Sequence, residues 1–166
     1  MKITPTNITK LKANEVFVFG SKLNGAHIGG AAKLAIDKFG AINGKYFGLY
    51  GKSFAMPTLD ETLQKINLKS LQCYINDFFE IAAAHPKKHF LITEIGCGIA
   101  GFTLAEIAPL FKDFLTVENC SLPQTFIDLL SPIKGYKVTN ANMTCLGFQY
   151  ELNKILLKLI VSLNNY

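Results

Sequence analysis

Apolar positions along the chain fall into short continuous runs that alternate with longer stripes of helical spacing. The run "EVFVFG" at 15–20 is rich in β-formers and predicts a strand buried on both faces. A glycine-bearing loop, "GSKLNGAHIGG", follows it. "GGAAKLAIDKFG" then predicts a helix with Leu34, Ala35 and Phe39 inward and a glycine stop at Gly40. "YFGLYGKSFAMPT" reads as one or two short strands broken by glycines. In "LKSLQCYINDFFEIAAAH", Leu68, Leu71, Ile75, Phe78, Phe79 and Ala82 recur at helical spacing, and Pro86 closes the segment. "HFLITEI" predicts a strand, "TLAEIAPLFKDF" a helix, and "LTVE" a further strand. Thr103 with Glu106 three residues on forms a capping box for the helix of "TLAEIAPLFKDF".

Strands alternating with helices specify an α/β fold: a mainly parallel or mixed sheet between helices. Ligands of such sheets sit outside the carboxyl ends of the strands. Both glycine loops follow strands, so both are expected at that edge, walling one crevice.

The second loop spells a dinucleotide-binding pattern. In "FLITEIGCGIAGFTLAEI", at 90–107, Gly96, Gly98 and Gly101 stand in the spacing G-x-G-x-x-G between a strand and a helix, and Glu118 follows as a carboxylate. A Rossmann domain carries this pattern at its first strand-to-helix turn, whereas here 95 residues precede Gly96 and 65 follow Gly101. Glycines that open a helix still suit a phosphate, because convergent N–H groups and the helix N-terminus attract anions. The first loop is not a nucleotide triphosphatase loop. Gly20 and Gly25 have its spacing, but Ala26 and His27 replace the lysine and hydroxyl that hold phosphate and magnesium.

Composition narrows the classes further. At 166 residues and 49% hydrophobic, the chain is long enough to bury a core without metals or disulfides. Cys73, Cys97, Cys120 and Cys145 lie 23 to 25 residues apart, which indicates neither a zinc site nor a disulfide framework. The net charge of +5 comes from scattered lysines and no arginine, so no nucleic-acid groove is expected. The start has no apolar leader and "ILLKLIVSL" is interrupted by Lys158, so a cytoplasmic protein without a membrane span is expected.

Asn7 to Gly40, "FAMPT" at 54–58 and "FLITEIGCGIAGF" together resemble the macro domain family, and in particular small macro-like proteins of bacteria and phages. The resemblance covers roughly residues 7–130. It implies a three-layer macro-domain-like fold over residues 1–133, with 134–166 as an appended extension. It further implies binding of ADP-ribose or a related nucleotide, with no cofactor and no metal. Asn7 and Ile8 would meet the adenine, Lys22 the distal ribose, and Ser21 beside it would also belong to the ligand-binding set. Gly29 and Gly30 would form the first loop, and Gly96, Cys97, Gly98, Ile99, Ala100 and Gly101 the diphosphate loop trailed by the aromatic Phe102. Asn7 replaces the family's acid, and Lys22 replaces an asparagine linked to hydrolysis. Binding without turnover is therefore set against two alternatives, an ADP-ribosyl hydrolase and a nonbinding structural protein of a mobile element.

Several residues carry two readings. Cys97 is a nucleophile at a helix start or a small residue in a tight turn. His27 is an acid or base near the first loop, or an exposed loop histidine; His85 and His89 are expected to face solvent. Phe102 stacks on a base or belongs to the core. Residues 151–163 have the pattern of an amphipathic helix.

Overall fold

The computed structural model describes residues 2–131 and two short strands at 144–145 and 148–149. The chain divides into two units, Met1–Pro132 and Ile133–Tyr166. In the first unit the elements run β1 (Lys2–Ile3), β2 (Glu15–Lys22), α1 (Gly30–Phe39), β3 (Gly48–Tyr50), β4 (Ser53–Leu59) and α2 (Leu68–Ala84). They continue with β5 (His89–Ile92), α3 (Leu104–Ile107), a 3-10 segment (Ala108–Thr116), β6 (Cys120–Leu122) and α4 (Gln124–Leu130). Six strands form one mixed sheet in the order β1-β6-β5-β2-β4-β3; all neighbours are parallel except β3 and β4.

Strand side chains alternate between two cores. Val16, Val18, Phe54, Met56, Phe90 and Ile92 share one with α2, the 3-10 segment and α4. Phe17, Phe19, Ala55 and Leu91 share the other with Ala35 and Phe39 of α1. Continuous apolar runs are thus what a strand needs when helices cover both faces. Phe78 of α2 packs on Phe54 and Phe90 with ring centroids 4.6 and 5.4 Å apart, and on Phe114 at 5.3 Å. These tilted, edge-to-face and stacked contacts add about 0.5–1.5 kcal/mol each beyond area burial.

Helix ends follow their sequence signals. Asn67 caps α2 by accepting from Ser70 N at 2.8 Å, and Asn119 Nδ2 donates to the carbonyls of Ala82 and His85 at its far end. Thr103 and Glu106 form the expected capping box. The helix they open departs from expectation after one turn and continues as 3-10. Pro109 lacks the N–H that an α-helical bond to Ala105 would need. The strand expected at 115–118 lies instead at Cys120–Leu122, because the 3-10 segment runs to Thr116.

The topology creates the crevice. β2 and β5 are neighbours, yet β2 leads into α1 on one face and β5 leads into α3 and the 3-10 segment on the other. Adjacent strands whose connections leave on opposite faces open a gap at their carboxyl ends. Among the described residues no helix is long and apolar enough to cross a membrane. In the second unit, Thr144–Cys145 and Phe148–Gln149 pair antiparallel. The amphipathic pattern at 151–163 lies outside the described residues.

Candidate functional site

A crevice of about 490 Å³ lies at these strand ends, and both glycine loops line it. β2 contributes Gly20, Ser21 and Lys22, β4 contributes Thr58 and Leu59, and the loop after β5 contributes Thr93 to Gly96 and Gly98 to Ala100. The start of α1 closes another side with Gly29 to Ala32. A register shift in the β2–β4 pairing at Ser21 and Lys22 splays the strand end there. Pro57 fits opposite it because β3 pairs only with Ser53 to Ala55, so no ladder bond is missed on that side.

Backbone donors define the electrostatics. No side chain caps α1 at Gly29, and the N–H groups of Gly30, Ala31 and Ala32 have no protein acceptor among the described residues. In the second loop Cys97 N donates to Glu94 O, Gly101 N to Gly98 O and Phe102 N to Gly96 O. Those bonds fix the turn while leaving the N–H groups of Gly96, Gly98, Ile99 and Ala100 without a protein acceptor among the described residues. Unpaired donors from a loop and from a helix start, lining one crevice, suit an anion.

Two glycines of this loop have different causes. Gly96 has φ of +80°, and a Cβ built there would sit 2.9 Å from Phe102 Cδ2, so both conformation and packing exclude a side chain. Gly98 has neither constraint: its φ is not positive, and a Cβ there meets nothing within 4 Å.

Of the residues expected at the site, Ser21, Lys22, Gly29, Gly30, Gly96, Gly98, Ile99 and Ala100 line the crevice. Asn7, Ile8, Cys97, Gly101 and Phe102 do not. Asn7 is exposed elsewhere, and the side chain of Ile8 is buried in the α1 core. Phe102 is only 4% exposed and packs beneath Gly96, with Lys65 Nζ 4.9 Å above its ring, so it cannot stack on a base from there. Burial, with Glu94 and Glu106 adding to it, pushes the Cys97 thiol up to about 11; it is a turn residue and not a thiolate nucleophile. The Ser21 hydroxyl is spent on the Tyr46 carbonyl.

The histidines also differ from expectation. His27 is buried with its ring edge-on to Phe19, and Nε2 lies 3.1 Å from Lys45 O. Nδ1 has no partner among the described residues, and burial lowers the pKa despite the opposing pull of the Lys45 and Ile42 carbonyls. His85 Nδ1 lies 2.7 Å from Ile81 O, and His89 is half-buried against Ser121.

Sequence reasoning placed Ile99 at the site but missed Ile28 and Leu63, which complete an apolar rim with it. Ile28, Ile99 and Leu63 line the crevice and are 75%, 73% and 53% exposed. Ile99 reaches across toward Gly29 and Gly30, with Cδ1 3.8 and 3.7 Å from where their Cβ atoms would be. Leu63 is held at φ +68° by Asp60, whose Oδ1 accepts from Thr62 N at 2.7 Å and Gln64 N at 2.9 Å. Such strain in a non-glycine residue costs on the order of 1–2 kcal/mol. Glu94, also missed, lines the crevice and accepts from Thr125 Oγ1 at 2.8 Å.

Compared with protein-family models, with curated proteins and with solved structures, the chain finds no match.

Proposed function

We propose that the crevice binds ADP-ribose or a related ADP-ribose-containing nucleotide, and that residues 1–133 form a three-layer, macro-domain-like module around it. The observation that carries this reading is the set of unpartnered backbone N–H groups from two glycine loops lining one crevice. A diphosphate offers the acceptors those donors lack. The volume of about 490 Å³ falls in the range of small-molecule sites, and the apolar rim suits a ligand with flat apolar faces. Lys22 adds a cation to the same lining.

A thermal-shift screen tests this reading. ADP-ribose is expected to raise the melting temperature more than AMP, which lacks the diphosphate. A nonbinding structural protein gives no shift with any nucleotide, and that result contradicts the proposal.

Glu94 supports a second reading, ADP-ribosyl hydrolysis. As the carboxylate lining the crevice, oriented by Thr125, it would take the proton of a water that attacks the distal ribose. Release of ADP-ribose from a labelled conjugate, lost in Glu94→Gln with binding retained, decides for turnover; its absence in the parent leaves binding alone.

A further inference from the structure

At the opposite, amino-terminal end of the sheet lies a separate depression of about 310 Å³, lined by Lys2, Lys12, Asn14, Glu15, His89 and Ser121 among others. Three neighbouring parallel strands each turn a polar side chain to the α1 face here. Glu15 of β2 is in register with His89 of β5, and Ser121 of β6 is in register with Leu91. Farther along the same face these strands carry Phe17, Phe19 and Leu91. Polar groups stand in place of core residues at this end of the sheet.

The groups are connected. His89 Nε2 is hydrogen-bonded to Ser121 Oγ at 2.7 Å, and Ser121 is only 2% exposed. Glu15 is already matched: Oε1 pairs with Lys12 Nζ at 3.6 Å and Oε2 accepts from Lys12 N. Lys2 has no ion pair among the described residues. With Glu15 and Lys12 cancelling, Lys2 and a protonated His89 leave two positive charges facing one small cavity. Burial first, then Lys2, lower the His89 pKa, with Glu15 opposing and Lys12 reinforcing. A dianion reverses that balance. Once the ring is protonated, Nε2–H donates to Ser121 Oγ, and the serine's own proton becomes available to the ligand.

We propose that this depression is a second anion site, independent of the crevice, which takes a phosphate dianion, free or as the end of a small monoester, together with a proton on His89. The charge count favours a dianion over a carboxylate. The buried serine and the fixed imidazole supply directed donors that flexible lysines alone would not.

The test follows the His89 Hε1 resonance by NMR in the full chain. Sulfate is the first probe because its charge stays constant over the range titrated, so any pH dependence belongs to the protein. The His89 pKa is expected to rise by about 0.5 or more in sulfate relative to chloride at equal ionic strength. Sulfate affinity is expected to weaken several-fold from pH 6 to pH 8. Lys2→Gln and Ser121→Ala should each reduce the rise, and His89→Gln should remove the pH dependence of binding. Equal affinity for inorganic phosphate and phenyl phosphate assigns free phosphate, and tighter phenyl phosphate assigns a monoester. An unchanged His89 titration, or a rise that survives Lys2→Gln in full, overturns the proposal. So does loss of the rise in folded Gly98→Glu, which would return the effect to the crevice.

Discussion

The two ends of the sheet are built from different donors. At the carboxyl end the crevice presents backbone N–H groups of Gly30 to Ala32, of Gly96 and of Gly98 to Ala100, with Lys22 and Glu94 as the charged side chains of its lining. At the amino end the depression presents Lys2, Lys12, His89 and Ser121. Backbone donors keep their protons at every ordinary pH and are positioned by the fold itself; side-chain donors titrate and are positioned by one another. As proposed, the same sheet carries one anion site set by conformation and one set by charge. A change in backbone geometry should damage the first and spare the second, while a change in pH should do the opposite.

Gly96→Ala is the largest expected break. It forces a side chain to φ +80° and to within 2.9 Å of Phe102, so the loop shifts or Phe102 leaves its place in the core. A cost of about 2 kcal/mol or more in chemical denaturation is expected, together with loss of crevice binding. The His89 resonance should keep its position, since no lining residue of the depression is touched.

A second contrast lies in stability against pH. His27 and His89 both have lowered pKa values in the folded protein, chiefly from burial. Above the unfolded value of about 6.5 both states are neutral and nothing changes. As the pH falls below it the unfolded chain binds protons that the folded chain resists, so stability declines. Melting temperatures from pH 7.5 to 5.5 should fall, and His27→Gln, which can still donate to the Lys45 carbonyl, should flatten part of that fall.

Leu63→Gly separates strain from binding. Relief of φ +68° outweighs the added entropy of glycine, so a gain of about 0.5 kcal/mol is expected. Affinity for ADP-ribose should decrease, because the apolar rim loses one side chain. A mutant that is more stable and binds equally well would remove Leu63 from the site.

The smallest effect expected is the pH dependence of crevice binding itself. ADP-ribose affinity by calorimetry should change less than about threefold from pH 8 to pH 6, because the donors are peptide groups. A larger change would move the recognition to Glu94 or to another titrating group.

The contrast also governs what was legible in the chain. Glycine spacing and helical stripes are local, so the loop at 96–101, the α2 stripe of Leu71, Ile75, Phe78 and Ala82, and the Thr103–Glu106 box were all readable. The mixed sheet followed from the alternation of elements. β1 and β6 were not readable, since strands of two and three residues carry no period. Glu15, His89 and Ser121 meet only through strand register, and their separation in sequence hides them. The conformation of Leu63 is imposed by Asp60, and its residue type argues against a positive φ. The resemblance placed Asn7, Ile8 and Phe102 at the site; burial of Ile8 and Phe102 in two separate cores, and the exposure of Asn7 elsewhere, keep all three out of the crevice lining.

The central claim is that the second glycine loop holds a diphosphate through its backbone, and Gly98 gives the most direct access to it. Its φ is not positive and its Cβ position is open, so Gly98→Glu should fold as the parent does and alter only the space and charge beside the donors. Calorimetric titration of ADP-ribose into the parent, Gly98→Glu and Cys97→Ala, each checked by a melt, makes the measurement. The account predicts binding by the parent, a loss of well over tenfold, more than about 1.4 kcal/mol, in Gly98→Glu, and nearly unchanged affinity in Cys97→Ala. A parent that does not bind, or a folded Gly98→Glu that binds as tightly as the parent, would contradict it.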